Sequence, residues 1–282
     1  MDWDKAKRIF ILLLIILNLG LAGLNYIENK KSTLSQAQEK AAYEVLSQNG
    51  ISLYTNLIYK FPPMRRLLVT VPKYSRDELK RIFFDGEQTT VTVEFGKTIL
   101  KSETKTLTIE KNKFDLQILG GNGKISDFNK NTAQKAAENY LNILKKPIKD
   151  LELGTIIEKN DSFTFEFFGV YQGKKVFCNN YYVTVTKSGI TKVKGYFFIA
   201  ERLIGEKKEI CSSDEALFTI MKEIKAENKK EQVTIDKIEL GYDFQDIIEN
   251  SEEIKLVPCY RIYVLGKEKP YVVNAYTNEL KK

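Results

Sequence analysis

The sequence predicts an α+β protein: a single N-terminal transmembrane helix followed by two extracytoplasmic subdomains of helices packed on antiparallel sheets. Three observations predict it. Residues 9–27, IFILLLIILNLGLAGLNYI, carry no charge. Two segments with apolar residues at helical spacing are each followed by runs of strand-like alternation. Aromatic content is high, with 16 Phe and 15 Tyr, as β-rich cores require. Apolar content of 43% and charged content of 29% over 282 residues leave room for two folded subdomains beyond the anchor.

The anchor comes first. At about 1.5 Å per residue, residues 9–27 span roughly 28 Å, close to the hydrocarbon thickness of a bilayer. A buried core helix of this length would keep a polar face, and this one has none. A cleaved signal peptide has a shorter apolar stretch and an A-x-A-like site, for which only Leu21-Ala22-Gly23 is a weak candidate. An uncleaved anchor with a cytoplasmic tail at 1–8 is expected. Lys5, Lys7 and Arg8 before the span are balanced by Lys30, Lys31 and Lys40 after it. The expected orientation, amino terminus inside and main domain extracellular, therefore rests on the charge of the amino terminus and on the ease with which large domains translocate.

Within the span, Asn18, Ala22 and Asn25 fall on one helix face. Amides in hydrocarbon are costly unless paired, and a small residue between them lets a second helix approach closely. These three are the candidate transmembrane partner contacts. The competing reading puts Asn25 at the interface and leaves Asn18 merely tolerated.

Residues 28–120 are expected to form the first subdomain and 131–282 the second. In the first, Ser32 and Thr33 cap a helix through about Ser47, with Ala37, Ala41, Val45 and Leu46 on its apolar side and Gly50 as its stop. Ser75-Arg-Asp-Glu78 is a capping box for a short helix to Phe84. Segments 89–95, 99–110 and 114–119 read as an antiparallel meander. Gly120 to Ile125 lacks the spacing of a phosphate loop and reads as a flexible boundary. In the second, a helix from Thr132 to about Leu144 presents Ala133, Ala136, Ala137, Tyr140, Leu141 and Leu144. Strands are expected at 151–158, 163–171, 176–186 and 190–204. A capping box, Ser212-Ser-Asp-Glu215, opens another helix with Leu217, Ile220, Met221 and Ile224 as its core face, and strands follow at 233–242, 255–265 and 269–276. The acidic run Glu249 to Glu253 reads as a solvated loop.

Much chemistry is excluded by composition. Histidine is absent, which removes His general bases, Ser-His-Asp and Cys-His systems and the common zinc sites. Cys178, Cys211 and Cys259 have no metal or redox spacing and allow at most one disulfide. The net charge of +7 comes from lysines scattered among Glu and Asp, which reads as a solvated surface, with no nucleic-acid partner. Ser102-Glu-Thr-Lys105 fits S-x-x-K, but the companion elements of that enzyme class are missing. No motif nominates a carboxylate pair for glycoside hydrolysis. No catalytic residue, cofactor or metal is expected.

The opening Met1-Asp2-Trp3-Asp4-Lys5, running straight into the apolar helix, resembles the start of the YycI (WalI) family of Gram-positive bacteria. So does the close: Leu256-Val-Pro258-Cys-Tyr-Arg261-Ile-Tyr, then Tyr271-Val-Val-Asn274-Ala275-Tyr-Thr277-Asn278. Tyr260 departs from the pattern, which has tryptophan there, and the closing pair also resembles PepSY-type domains. The family resemblance implies a non-enzymatic membrane regulator. Such a protein works with a YycH-like partner and a WalK-like sensor histidine kinase, through transmembrane helix contacts, in a two-component pathway governing cell-wall metabolism. It also implies an outer region similar in fold to part of YycH. Asn18, Ala22 and Asn25 become the implied contact face. The alternative is a PepSY-like extracytoplasmic module that binds or inhibits an envelope protease.

Overall fold

The structure, a computed structural model, describes residues 3–144, 150–227, 232–244, 253–267 and 269–281, without the side chains of residues 4, 25, 28, 29 and 143. The fold is α+β. Its helices are α1 (Trp3–Lys31), α2 (Gln36–Gln48), α3 (Arg76–Phe83), α4 (Lys130–Ile143) and α5 (Ser213–Glu227). Its strands are β1 (Ile51–Leu53), β2 (Met64–Thr70), β3 (Thr90–Glu94), β4 (Lys97–Lys101), β5 (Lys105–Glu110), β6 (Lys113–Ile118), β7 (Leu151–Lys159) and β8 (Ser162–Tyr171). They continue with β9 (Lys174–Thr186), β10 (Gly189–Tyr196), β11 (Ile199–Lys208), β12 (Val233–Asp243), β13 (Glu253–Val264), β14 (Tyr271–Asn274) and β15 (Glu279–Leu280). The chain forms two compact units, one of Met1–Met64, Glu206–Glu239 and Cys259–Lys282, the other of Arg65–Gly205 and Leu240–Pro258.

In the second unit the strands run β3-β4-β5-β6-β10-β9-β8-β7, every neighbouring pair antiparallel. Alternation decides which face is buried. Along β9, Tyr181, Val183 and Val185 are wholly buried while Tyr182 and Thr184 face the other way, as the period of two requires. Helix α4 covers the apolar face with Ala133, Ala137 and Leu141, its C-cap Leu144 joins them, and α3 adds Leu79 and Phe83. Ala136 and Tyr140 pack at the margin of the same core. Phe114 is central to it, its ring 4.7 Å from Phe197 and 5.5 Å from Phe83.

Two expected strands are each divided. Segment 99–110 folds back as a hairpin, because the Ser102 hydroxyl accepts hydrogen bonds from the amides of Thr104 (3.3 Å) and Lys105 (2.9 Å) and so stabilises a turn. Segment 190–204 breaks after Tyr196, where Phe197 and Phe198 are both buried and the Phe197 amide bonds to Asn112 O. The 120–125 segment is held against the β9–β10 turn. Gly123 and Ile125 donate to the carbonyls of Ser188 and Lys187, and the Asn122 side chain accepts from the Ile190 amide at 2.6 Å. A side chain at Gly121 (φ +80°) would lie 2.1 Å from Ser188 O, so glycine there serves a close approach as well as a left-handed backbone.

In the first unit, β1 runs parallel to the start of β12, Ile51 facing Val233, and the second half of β13 pairs antiparallel with β14. The α5 core face is Ala216, Leu217, Ile220 and Ile224, with Met221 only half-buried. The α2 cap is Ser35, not Ser32 or Thr33: its hydroxyl accepts from the Gln38 amide while the Gln38 side chain accepts from Ser35 N. The buried residues of α2 are Ala42 and Leu46, and Ala37, Ala41 and Val45 are exposed. Among the described residues no disulfide forms: Cys178 and Cys259 are buried thiols and Cys211 is half-buried. The acidic run lies outside the described residues except for Glu253, which opens β13.

Candidate functional site: the N-terminal helix and its seat

Helix α1 is continuous over 29 residues and longer at both ends than the apolar run that predicts it. The large apolar side chains from Ile9 to Ile27 are each between 43% and 68% exposed, and nothing in Lys5–Leu24 is buried in the protein. Such a helix is long and apolar enough to cross a bilayer. Lys30 and Lys31 lie in its last turn, where cations favour the negative end of the helix dipole.

Asn18 donates from Nδ2 to the carbonyl of Leu14 at 2.9 Å. One amide hydrogen is thereby satisfied inside the helix, and the other, with Oδ1, stays on the surface. Ala22 lies one turn further on and is exposed. Of Asn25 only the helical backbone is described.

The junction below α1 was not apparent from sequence. Ser32 and Thr33, expected to cap α2, instead form a short antiparallel seat with residues 59–61. Phe61 N donates to Ser32 O at 2.9 Å, Leu34 N donates to Tyr59 O at 2.8 Å, and Thr33 bridges Lys60. Leu34 and Leu57 are buried on either side of this pairing. The Tyr59 hydroxyl donates to Glu39 on α2, and that hydrogen bond holds the phenol above its ordinary pKa. Ser213, wholly buried at the start of α5, binds both polar groups of Ile58: its hydroxyl accepts from Ile58 N at 3.0 Å and donates to Ile58 O at 3.2 Å. The Asn49 side chain at the end of α2 accepts from Lys225 on α5. The exit of α1 is therefore stitched into α2 and α5 within a few residues. The signal for this was weak, since it depends on Ser32–Leu34 meeting a loop more than twenty residues away.

The S-x-x-K tetrapeptide is brought together around Glu87. Ser102 donates to Glu87 Oε2 at 2.5 Å, Thr104 donates to the same oxygen at 3.1 Å, and the Lys105 ammonium is 2.6 Å from Oε1. Lys105, and after it Ser102, hold the Glu87 carboxyl below its usual range. The serine proton is committed to a carboxylate that Lys105 also neutralises, so the arrangement fixes a turn and does not activate a nucleophile. A groove of about 480 Å³ beside it is lined by Lys101, Ser102, Lys105, Ile118, Leu119 and Lys192 among others. Among the described residues no group of three or more acidic or cysteine side chains could hold a metal. Burial pushes the Cys211 thiol up to about 12, which leaves it a poor nucleophile.

Fold and helix together define an α+β protein bearing one N-terminal helix of bilayer-spanning length. No family model and no curated relative matches the chain. Among solved structures, an uncharacterized protein from Eubacterium rectale is similar at a TM-score of 0.55 and 12% identity, over 82% of this chain and 90% of that one. At that identity the likeness is one of fold. The Bacillus megaterium YpeB C-terminal domain (TM-score 0.41, 14% identity, 74% of this chain and 96% of that one) and YycH from Bacillus subtilis (0.45, 14%, 75% and 54%) are similar more loosely.

Proposed function

We propose that the chain is a non-enzymatic, membrane-anchored regulator. α1 spans the cell membrane with its amino terminus in the cytoplasm, and the folded units lie outside. Its action is to modulate a WalK-like sensor histidine kinase controlling cell-wall metabolism, together with a YycH-like partner, through helix contacts in the bilayer. The observation that carries the reading is the exposed apolar helix whose exit is hydrogen-bonded directly into the folded unit, so that a displacement of the helix reaches α2 and α5. The resemblance of both chain ends to the YycI family supplies the identity of the partners.

The contact face is Asn18, Ala22 and Asn25. Interhelical side-chain hydrogen bonds in membranes contribute about 0.6 kcal/mol each, so two of them make about 1.2 kcal/mol, roughly a sevenfold change in association. Asn18→Leu with Asn25→Leu is therefore expected to lower co-purification of the kinase and the YycH-like protein from detergent-solubilised membranes by several-fold, with the chain's own membrane level unchanged. Undiminished recovery of both partners would remove the contact face. Recovery of the chain in the culture medium with α1 cleaved away would remove the anchor.

A further inference from the structure

Strand β3 is the last strand of its sheet: among the described residues it pairs with β4 on one side and with no strand on the other. Natural edges are blunted by lysine, proline or a bulge. β3, Thr90-Val-Thr-Val-Glu94, has no lysine or proline, and its register with β4 is unbroken. Four of its five residues are β-branched and hence strand-prone. Its exposed apolar surface is also unusual, with Val93 58% exposed and Phe95, in the turn that follows, wholly exposed.

The hydrogen-bonding pattern of the edge follows from the turn. Phe95 and Gly96 both have positive φ (49° and 75°), as a two-residue hairpin loop of the primed type requires. Its closing pair, Glu94 and Lys97, exchanges both backbone hydrogen bonds, so Glu94, Thr92 and Thr90 direct their amides toward β4. By alternation Val91 and Val93 direct their N–H and C=O groups outward. The open edge therefore presents two residues able to form complete ladder pairs, with exposed Thr92 between them and exposed Thr90 before them.

We propose that this edge pairs with the same edge of a second copy of the chain, antiparallel about a two-fold axis at Thr92. That register aligns all five residues. Thr92 meets the second copy's Thr92, Val91 meets Val93, and Thr90 meets Glu94. Axes at Val91 or Val93 would keep the faces matched but pair only three strand residues. A second copy fits because the strand is complementary to its own reversed sequence. Apolar lies opposite apolar, threonine opposite threonine, and the one charge, Glu94, opposite a neutral residue, so no like charges meet. The two Val91–Val93 pairs supply four backbone hydrogen bonds and cover the exposed Val93. The result is an isologous dimer by strand addition, independent of the α1 contacts proposed above. A five-residue pair is a small interface, so its occupancy depends on the high effective concentration that two dimensions provide.

The test is cysteine cross-linking of the full chain in phosphatidylcholine vesicles under mild oxidation, with the parent chain and its three thiols as baseline. Thr92 is exposed, so cysteine there leaves the fold intact, which circular dichroism checks. In the proposed register the two copies of Thr92 form a non-hydrogen-bonded pair with Cα atoms about 4.5 Å apart, within disulfide range. Two copies of Thr90 lie four positions apart, about 13 Å. Thr92→Cys is expected to give at least about tenfold more disulfide dimer than Thr90→Cys. Thr90→Cys mixed with Glu94→Cys is expected to cross-link as a heterodimer. Adding Val93→Lys to Thr92→Cys is expected to reduce the dimer to the parent's level. Equal cross-linking of Thr92→Cys and Thr90→Cys, or a dimer indifferent to Val93→Lys, would overturn the proposal.

Discussion

Replacing Ser213 by alanine tests whether the seat of α1 is held as described. The Ser213 side chain is wholly buried and is bonded to both polar groups of Ile58. Its loss removes two hydrogen bonds of about 1 kcal/mol each and strands a partly buried backbone amide and carbonyl, for a total of about 2–3 kcal/mol. At about 4–8 °C per kcal/mol for a unit with about 90 residues outside α1, its thermal unfolding is expected to shift down by about 8–24 °C. The sharper readout is local. Leu34 N and Phe61 N donate across the same seat, and if the 57–61 segment loosens before the unit unfolds, their amide exchange accelerates by about 30–150-fold, tenfold per 1.4 kcal/mol. Hydrogen exchange of the full chain in detergent, followed by mass spectrometry of peptides covering 32–34 and 57–61, measures it. A stability loss under about 0.5 kcal/mol with unchanged exchange at both amides would show that Ser213 does not hold the seat.

Two further perturbations probe the second unit. Phe114→Ala removes the ring that packs against Phe197, Phe83 and Tyr181, and is expected to cost about 3–5 kcal/mol by denaturant unfolding, because the strands and helices around it cannot collapse into the space. Glu87→Gln is expected to act through pH. The folded carboxyl titrates below its ordinary value of 4.5, so its contribution is complete above that value and is lost as pH falls through the depressed one. Parent and variant are expected to differ most at neutral pH and to converge as pH falls through that depressed value, and a gap that acidification leaves unchanged would assign Glu87 a role other than its charge.

Elements whose signals are local are legible in the sequence. The α3 capping box is Ser75 with Glu78, as the S-x-x-E spacing predicts, and β9 alternates over its second half, from Asn179 to Thr186. What is not legible depends on residues far apart in the chain. Ser32 and Thr33 are the caps that the sequence suggests, but both are taken by residues 59–61 and the helix is capped by Ser35. The hairpin at Ser102 turns on a hydroxyl bonding its own backbone, reinforced by Glu87 from outside the strand pattern. The break after Tyr196 serves the stacking of Phe197 on Phe114, more than eighty residues earlier. Of the candidate site, the apolar length and the shared face of Asn18 and Ala22 can be read from spacing alone. The seat cannot, because nothing in the residues 57–61 themselves announces Ser213 as their partner.

That seat bears on how α1 would act as the anchor proposed above. A helix that only tethers a domain to a membrane works through a flexible linker, and glycine- or serine-rich connections supply one. Here a single residue separates the last helical position, Lys31, from the bridge at Thr33, and the next strong contact, buried Leu34, follows at once. The partner segment is fixed in turn by Ser213 on α5 and by the Tyr59–Glu39 bond to α2. A tilt or rotation of α1, placed in the bilayer as proposed above, is therefore resisted by hydrogen bonds that must break or carry α2 and α5 along. A bond network of this kind gives the helix contacts proposed for Asn18, Ala22 and Asn25 a route to the folded unit, and the reverse route as well, since coupling between two sites is reciprocal.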